Sequence, residues 1–289
     1  MPPTYRLAVM ADIHGNLPGF EAVMADLQQY QPLDGFLVAG DIVGGPGQEV
    51  ILQRLISLHA VIAHGNGEVG ALQVADGSAP DYFFTTRQFS LVRWVVEHLS
   101  PSSLAFMRSQ PAQAVLTLPG AQPVRVVHGS PRSVDELVNP LCSPALLAEV
   151  MQLAAEPVVV FGHTHWPFQV RLEDGRLALN PGAVCFPEDG YIGAQYALLD
   201  WDGEQWTARH RRVPFNLAEF RRSYVESGFL AVNPLCRIYL EDVYSGKDTL
   251  HDFFDLCQGL AESAGCAGLP YFPDEIWQQA AETFPWDNP

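Results

Sequence analysis

The sequence predicts an α/β protein in a single domain spanning residues 1–289. Short apolar runs of the kind that form buried strands alternate with stretches whose apolar residues recur at helical spacing. This alternation is typical of a parallel sheet with crossover helices. Hydrophobic residues make up 48% of the chain, which is enough for a sizeable core, and no Pro- or Ser-rich linker marks a domain boundary.

The first part of the chain shows this alternation most clearly. Strands are predicted at residues 7–11, 35–39 and 60–63, with helices between them at residues 17–30 and 49–58. Residues 69–110 break the order. A helix is predicted over residues 81–99 and another begins at the Ser100-Pro101 signal, so we interpret this segment as a helical insertion.

The remainder changes from parallel to antiparallel strands. The first pattern continues with strands at residues 114–118, 124–127 and 157–161 and a helix at residues 143–154. Two hairpins follow over residues 168–180 and 194–213, each with an Asp-Gly turn. Helices predicted at residues 216–225, 248–264 and 274–283 form a C-terminal elaboration, residues 214–289, on a core of residues 5–213.

Charge and cysteine content narrow the range of partners and compartments. The net charge is −17 and Lys247 is the single lysine, so binding to duplex nucleic acid or to an anionic membrane surface is not expected. Neither a signal-peptide-like segment nor an apolar run long enough to span a membrane is present. Five cysteines without CxxC spacing are typical of free thiols in a reducing compartment, and we expect a cytoplasmic protein.

Polar side chains follow five of the predicted strands. They are Asp12 and His14, Asp41, Asn66, His128, and His163 with His165. Because residues i and i+2 of an extended chain point the same way, Asp12 and His14 can converge on one point beyond their strand. Each residue alone has an ordinary structural explanation, such as a helix cap. Together, at strand ends where parallel sheets bind ligands, they predict a metal centre.

Seven ligands are too many for one tetrahedral zinc ion and suit two ions that share a carboxylate. Nitrogen and oxygen ligands without thiolate favour Mn, Fe, Zn, Ni or Mg. Two such ions, ~3.5–4 Å apart, can hold a hydroxide and clamp both oxygens of an in-line displacement at phosphorus. The ions would give the site a positive charge, so that a phosphate could bind despite the acidic exterior.

The order of these motifs resembles the calcineurin-like metallophosphoesterases over residues 5–200, and residues 12–16 and 128–131 are most similar to their small prokaryotic phosphodiesterase branch. The resemblance implies a four-layer α/β/β/α sandwich with a dinuclear site and a small phosphate ester as substrate. By motif position one ion would be held by Asp12, His14, Asp41 and His165. Asp41 would bridge to a second ion, held also by Asn66, His128 and His163. Asn66 and His128 are the candidate catalytic residues.

One position departs from the family pattern. Many members follow the Gly-Asn motif with a histidine that helps to protonate the leaving group, whereas this chain has Gly67. We expect activity on activated or aryl-type diesters that falls steeply as the leaving-group pKa rises, unless Glu68, His64 or Arg132 substitutes. Arg132 is interpreted either as a phosphate ligand or as a surface arginine, and Asn16 either as a phosphate contact or as a helix cap.

The leading hypothesis is therefore a metal-dependent phosphodiesterase. A phosphomonoesterase or a dinucleoside-polyphosphate hydrolase is the alternative within the same class. A single-zinc hydrolase would bind one ion per chain. A non-catalytic scaffold on the same fold, as in the retromer subunit that resembles this family, is the alternative from another class, and the intact ligand set argues against it.

Overall fold

Two five-stranded sheets form the centre of the structure, a computed structural model that describes residues 3–286. Residues 1–2 and 287–289 of the predicted domain lie outside this range. In chain order, the strands are β1 (Tyr5–Met10), β2 (Gly35–Val38), β3 (Val61–Ile62), β4 (Ala114–Leu116), β5 (Val124–Val126), β6 (Val158–Val160), β7 (Phe168–Arg171), β8 (Leu177–Asn180), β9 (Ala194–Trp201) and β10 (Trp206–Val213).

Helices cover the outer faces of the sheets and form most of the C-terminal region. They are α1 (Leu17–Asp26), α2 (Gln48–Ser57), α3 (Asn66–Ala75), α4 (Asp81–Thr85), α5 (Ser90–Glu97), α6 (Pro101–Ser109), α7 (Pro144–Gln152), α8 (Leu217–Glu226), α9 (Pro234–Ser245), α10 (Thr249–Ser263) and α11 (Asp274–Thr283). None of the helices within residues 3–286 is long and apolar enough to cross a membrane.

Each sheet is mixed, with parallel strands at its centre. The first has the order β10-β9-β1-β2-β3, in which β1 pairs parallel with β2 and antiparallel with β9. The second has the order β4-β5-β6-β8-β7, in which β5, β6 and β8 run parallel. The carboxyl ends of β1, β2, β5 and β6 are each followed by a predicted metal ligand, so these strands position the candidate site.

Alternating side chains of β1 pack into different layers, as the period of two in a strand requires. Leu7 and Val9 pack between the sheets against strands such as β5 and β6, whereas Ala8 and Met10 face the helices outside the first sheet. Helix α7 covers the second sheet. This is the predicted α/β/β/α sandwich, and the fold class is confirmed.

Three helical regions differ from the prediction. Helix α3 begins at Asn66, where the sequence Gly65-Asn66-Gly67 is typical of a turn. Helix α9 was not predicted, although Asn233 provides its N-cap and Pro234 a first-turn proline. The helix predicted over residues 81–99 is divided because Thr86 is extended, which ends α4 before a short 3₁₀ turn and α5. Helices α8 and α9 bury residues in the same hydrophobic core as the first sheet.

Candidate metal centre

Five of the seven predicted ligands have an unusual backbone conformation. Positive φ angles occur at Asp12 (52°), His14 (41°), Asp41 (50°), His163 (69°) and His165 (52°). Few residues other than glycine adopt this region, and the strain is tolerated mainly where function requires it. Each of these five residues lies in the loop that follows β1, β2 or β6.

A first group of possible ligands consists of Asp12, His14 and His165, all buried. The Nε2 atoms of the two histidines lie 3.3 Å apart, and His165 Nε2 lies 3.5 Å from Asp12 Oδ1. His165 Nδ1 donates to the carbonyl oxygen of Phe186 at 3.1 Å, so its Nε2 presents a lone pair. Close convergence of nitrogen and oxygen acceptors is the environment that a divalent cation requires, and the donor set therefore fits a metal ion.

A second group consists of Asp12, Asp41 and His128. His128 Nδ1 donates to the carbonyl oxygen of Ala39 at 2.7 Å, which leaves Nε2 free 3.6 Å from Asp41 Oδ1 and 3.0 Å from Asn66 Oδ1. The other oxygen of Asp41, Oδ2, lies 3.5 Å from His14 Nε2. Asp41 therefore faces both groups, and Asn66 joins the second group from the start of α3.

His163 lies at the edge of the second group. Its backbone N–H donates to both carboxylate oxygens of Asp12, at 3.1 and 3.0 Å, and its ring packs against that of His128 with centroids 4.9 Å apart. The structure thus brings all seven predicted ligands to one place. Asn66 is exposed at the mouth and His163 is partly buried, whereas the other five are buried.

Burial controls the charge of these groups. It raises the pKa of Asp12 well above its usual value and that of Asp41 to about 6. It lowers the pKa of His14 well below the usual range and that of His165 to about 3. The histidines are therefore neutral at physiological pH, as metal ligands must be, and a cation would keep the two carboxylates ionised.

Glu68 supports the centre without facing it. Its buried carboxylate accepts four backbone N–H bonds, at Oε2 from Asp41 (2.8 Å) and Gly65 (2.8 Å) and at Oε1 from Ile42 (2.8 Å) and Val43 (3.0 Å). Because both oxygens are fully used, Glu68 is placed to hold the loop that carries Asp41 and not to protonate a leaving group. The sequence signal was the glutamate three residues after Gly65, a helix-start pattern.

The structure shows structural contacts for the other candidate residues. The buried Asn16 caps α1, since its Oδ1 accepts from the Gly19 N–H at 2.9 Å and its Nδ2 donates to the Val184 carbonyl at 3.0 Å. Arg132 binds the carboxylates of Glu136 and Glu149. His64 Nε2 donates to the Met107 carbonyl oxygen at 2.6 Å. The helix-cap and surface-arginine alternatives are therefore the ones observed for Asn16 and Arg132.

Two cavities meet at the predicted metal ligands. The first, which we call the apolar lobe, has a volume of about 450 Å³, and its lining includes Val69, Phe83, Phe89, Leu91, Val92 and Phe254. The second, the acidic lobe, has a volume of about 490 Å³, and its lining includes Trp166, Glu188, Asp242, Asp248 and His251. Within the described residues, four line both lobes: His14, Asp41, Asn66 and Tyr239.

The acidic lobe makes stability depend on pH through Asp242. Burial raises the pKa of this carboxyl to about 7, although it accepts a bond from the Thr249 N–H at 2.9 Å. A carboxyl whose pKa is raised by folding stabilises the folded protein while it is protonated. This stabilisation is complete below about pH 4 and is lost as the pH rises to about 7. In chelator-treated protein, Asp242→Asn should therefore stabilise the fold relative to wild type at pH 8 more than at pH 5, by up to about 3 kcal/mol.

Urea unfolding at the two pH values measures this difference. Asp252→Asn, at an exposed position of α10, serves as the control and should give the same difference from wild type at both pH values. An Asp242→Asn variant whose stability relative to wild type is independent of pH would show that this carboxyl titrates normally in the folded protein.

Comparisons with known proteins agree with the geometry. The sequence profile of the calcineurin-like phosphoesterase superfamily domain matches residues 5–204. An uncharacterized protein from Methanocaldococcus jannaschii is 26% identical over 210 residues, which cover 67% of this chain and 82% of that protein. A crystal structure of a metallophosphoesterase from Sphaerobacter thermophilus is similar, with a TM-score of 0.67, 25% identity, and coverage of 84% of this chain and 99% of that one.

A hypothetical protein from Pyrococcus horikoshii has the same fold at 17% identity, with a TM-score of 0.68 and coverage of 84% of this chain and 98% of that one. The profile match covers more than half of the residues and includes every predicted ligand, from Asp12 to His165. The chain therefore belongs to the calcineurin-like phosphoesterase superfamily and is a metallophosphoesterase, a hydrolase that acts on phosphate esters.

Proposed function

We propose that this metallophosphoesterase is a phosphodiesterase with two divalent metal ions. One ion would be held by Asp12, His14, Asp41 and His165, and the other by Asp41, Asn66, His128 and His163. The two oxygens of Asp41, 3.5 Å from His14 Nε2 and 3.6 Å from His128 Nε2, support Asp41 as the shared carboxylate.

Bound divalent ions supply the chemistry that lowers the pKa of a water molecule and neutralises charge on phosphate oxygens. The chain's own contribution is to position the ligands. Glu68 fixes the Asp41 loop, and the carbonyls of Ala39 and Phe186 orient the rings of His128 and His165. Manganese is one of the ions that this nitrogen and oxygen donor set suits, together with Fe, Zn, Ni and Mg.

The observation that favours a diester is the pair of lobes. They share three predicted ligands and Tyr239, their other lining residues differ, and their volumes are about 450 and 490 Å³. A diester has two organic arms and can fill both, whereas a monoester would leave one lobe to water. We also propose a cytoplasmic location, which is supported by the five cysteines, all within residues 3–286 and none in a disulfide.

The test compares bis(4-nitrophenyl) phosphate with 4-nitrophenyl phosphate after the metal-stripped protein is reloaded with Mn²⁺, and measures the metal content of the same sample. We expect two ions per chain and a higher kcat/KM for the diester. A higher value for the monoester would support the phosphomonoesterase alternative. One ion per chain would support a single-ion hydrolase, and two bound ions with no hydrolysis would support a scaffold.

A further inference from the structure

We propose that the apolar lobe binds the leaving alcohol of the substrate, an aromatic or similarly apolar group, and that the Tyr239 hydroxyl donates a hydrogen bond to the leaving oxygen at the entrance of the lobe. This inference rests on the proposed phosphodiesterase function. It assigns a substrate class to one cavity and a catalytic contact to a helix of the C-terminal region.

The lining of the apolar lobe determines what it can bind. Its walls come from α3, from α4 and α5 of the insertion, and from α9 and α10, and they present aliphatic and aromatic side chains such as Phe83, Val92 and Phe254. Apart from Tyr239 and the predicted ligands, the polar side chains of the lining are Gln73, Gln88 and Asp135, and none of the described lining residues is a lysine or an arginine. Such a cavity favours an apolar arm over a charged one, because burial of apolar surface is favourable and unpaired charges are costly there.

Glycines on α3 leave the path from the metal ligands into the lobe open. Gly67 and Gly70 line the lobe one helical turn apart. The Gly67 N–H donates to Asp41 Oδ1 at 2.8 Å, and a Cβ at Gly67 would lie 3.1 Å from the same oxygen. No side chain at this position therefore separates Asn66 from the lobe, and an ester arm can pass directly from the ligands into it.

Tyr239 lies where the two lobes meet, beside the predicted ligands. Tyr239 belongs to α9, and its ring stacks on that of Phe186 with centroids 4.7 Å apart. The centroid of the same ring lies 6.0 Å from that of His14. Tyr239 lines both lobes together with three predicted ligands. A phenol is protonated at neutral pH, so the Tyr239 hydroxyl can donate a hydrogen bond.

The three residues that the sequence suggests as proton donors to the leaving group have other partners in the structure. Both oxygens of Glu68 accept backbone N–H bonds, His64 Nε2 donates to the Met107 carbonyl, and Arg132 binds two glutamates. An oxygen that leaves into an apolar cavity has few water molecules to stabilise it. A protein donor at the entrance is therefore needed more than at an open site, and Tyr239 provides one.

In the proposed step, a water oxygen forms a bond to phosphorus and the bond from phosphorus to the ester oxygen breaks. The electron pair of that bond remains on the leaving oxygen. The Tyr239 O–H stabilises the developing negative charge through a hydrogen bond, and the proton that completes the alcohol comes from the water consumed in the reaction. A donor directed at developing charge in a dry site accelerates reactions by ~10²–10³-fold.

The first test is Tyr239→Phe, assayed with methyl aryl phosphates whose phenols differ in pKa. We expect kcat to fall by about 10²-fold or more for the phenyl ester and by less than about tenfold for the 4-nitrophenyl ester, because a good leaving group needs less help. Tyr244→Phe is the matched control on the same helix, since its hydroxyl donates to the Leu217 carbonyl. An equal loss for all leaving groups, or no loss, would overturn the role of Tyr239.

The second test measures affinity by competition, with the Mn²⁺-loaded protein assayed on bis(4-nitrophenyl) phosphate. Wild type should bind diphenyl phosphate, added as the competitor, more tightly than dimethyl phosphate. Gly70→Phe should weaken only the diphenyl ester, because a Cβ at Gly70 meets just Val92 Cγ1, at 3.8 Å, and the ring would enter the lobe. Gly259→Phe, on α10 with nothing within 4 Å of its Cβ, is the control.

The outcomes separate this inference from the function on which it rests. Hydrolysis of the diesters with equal affinity for both ligands, unchanged by Gly70→Phe, would overturn the lobe assignment while the phosphodiesterase function stands. Failure to hydrolyse any diester with two ions bound would overturn the proposed function and this inference with it. Loss of diphenyl phosphate binding in Gly70→Phe alone would support the assignment.

Discussion

Replacement of Asp41 by asparagine should remove at least one of the two proposed metal ions and lower kcat by about 10³-fold or more. Asp41 directs one oxygen toward His14 and the other toward His128, at 3.5 and 3.6 Å from their Nε2 atoms. An asparagine keeps the shape but offers a single oxygen and no charge. The size of the effect follows because several kcal/mol of charge stabilisation depend on bound ions.

Metal analysis and steady-state kinetics measure this effect, and Asp81→Asn, at the exposed start of α4, is the control. A loss of folding is distinguishable from a loss of ligand. Burial raises the pKa of Asp41 to about 6, so asparagine removes an unfavourable charge from the metal-free protein at pH 8. The chelated variant should therefore be at least as stable as wild type. Full metal content and activity in Asp41→Asn would refute the shared-carboxylate arrangement.

The second large effect is expected at Glu68, which touches no predicted substrate position. The Glu68 carboxylate accepts hydrogen bonds from four buried backbone N–H groups, those of Asp41, Ile42, Val43 and Gly65. In Glu68→Gln the carboxamide nitrogen replaces one oxygen, so two of these N–H groups lose their acceptor. Each unsatisfied donor costs ~1–3 kcal/mol, so we expect a loss of about 2–6 kcal/mol in stability. A displaced Asp41 loop should also lower activity by about 10²-fold.

Urea unfolding and kinetics on the same preparation test both expectations. Glu97→Gln, at the exposed end of α5, provides the matched substitution and should change neither property. If Glu68→Gln lowers stability but leaves kcat and metal content unchanged, the loop is held in place by other contacts and Glu68 is a structural residue alone.

The sequence identified the seven residues that the structure brings together because their signal is local. A carboxylate or imidazole directly after an apolar strand is visible in a few residues, as at Asp12 and His163, and the parallel order of the strands implies that these ends meet. The supporting role of Glu68 was not predicted because its contacts are distant in sequence. Glu68 binds a loop 25–27 residues earlier in the chain, and no short pattern announces that contact.

The walls of the cavities were harder to predict for a related reason. Tyr239 lies on α9, among apolar residues that a helical pattern assigns to a core, and nothing in its neighbours indicates that it reaches His14. Arg132 and Asn16 were left with two interpretations each because a side chain's partners decide its role. The structure places Glu136 and Glu149 beside Arg132, and it places the α1 amides beside Asn16.

The ligands and the cavity walls come from different parts of the chain. Strand ends provide the former, whereas the insertion and the C-terminal helices provide most of the latter. Mutations that accumulate in α5, in α10 or at positions of α9 other than Tyr239 can therefore reshape which esters are accepted while the hydrolytic apparatus stays intact. Divergence of specificity among descendants of such a protein would follow the helices at the rim, and an engineer seeking a new substrate should begin there.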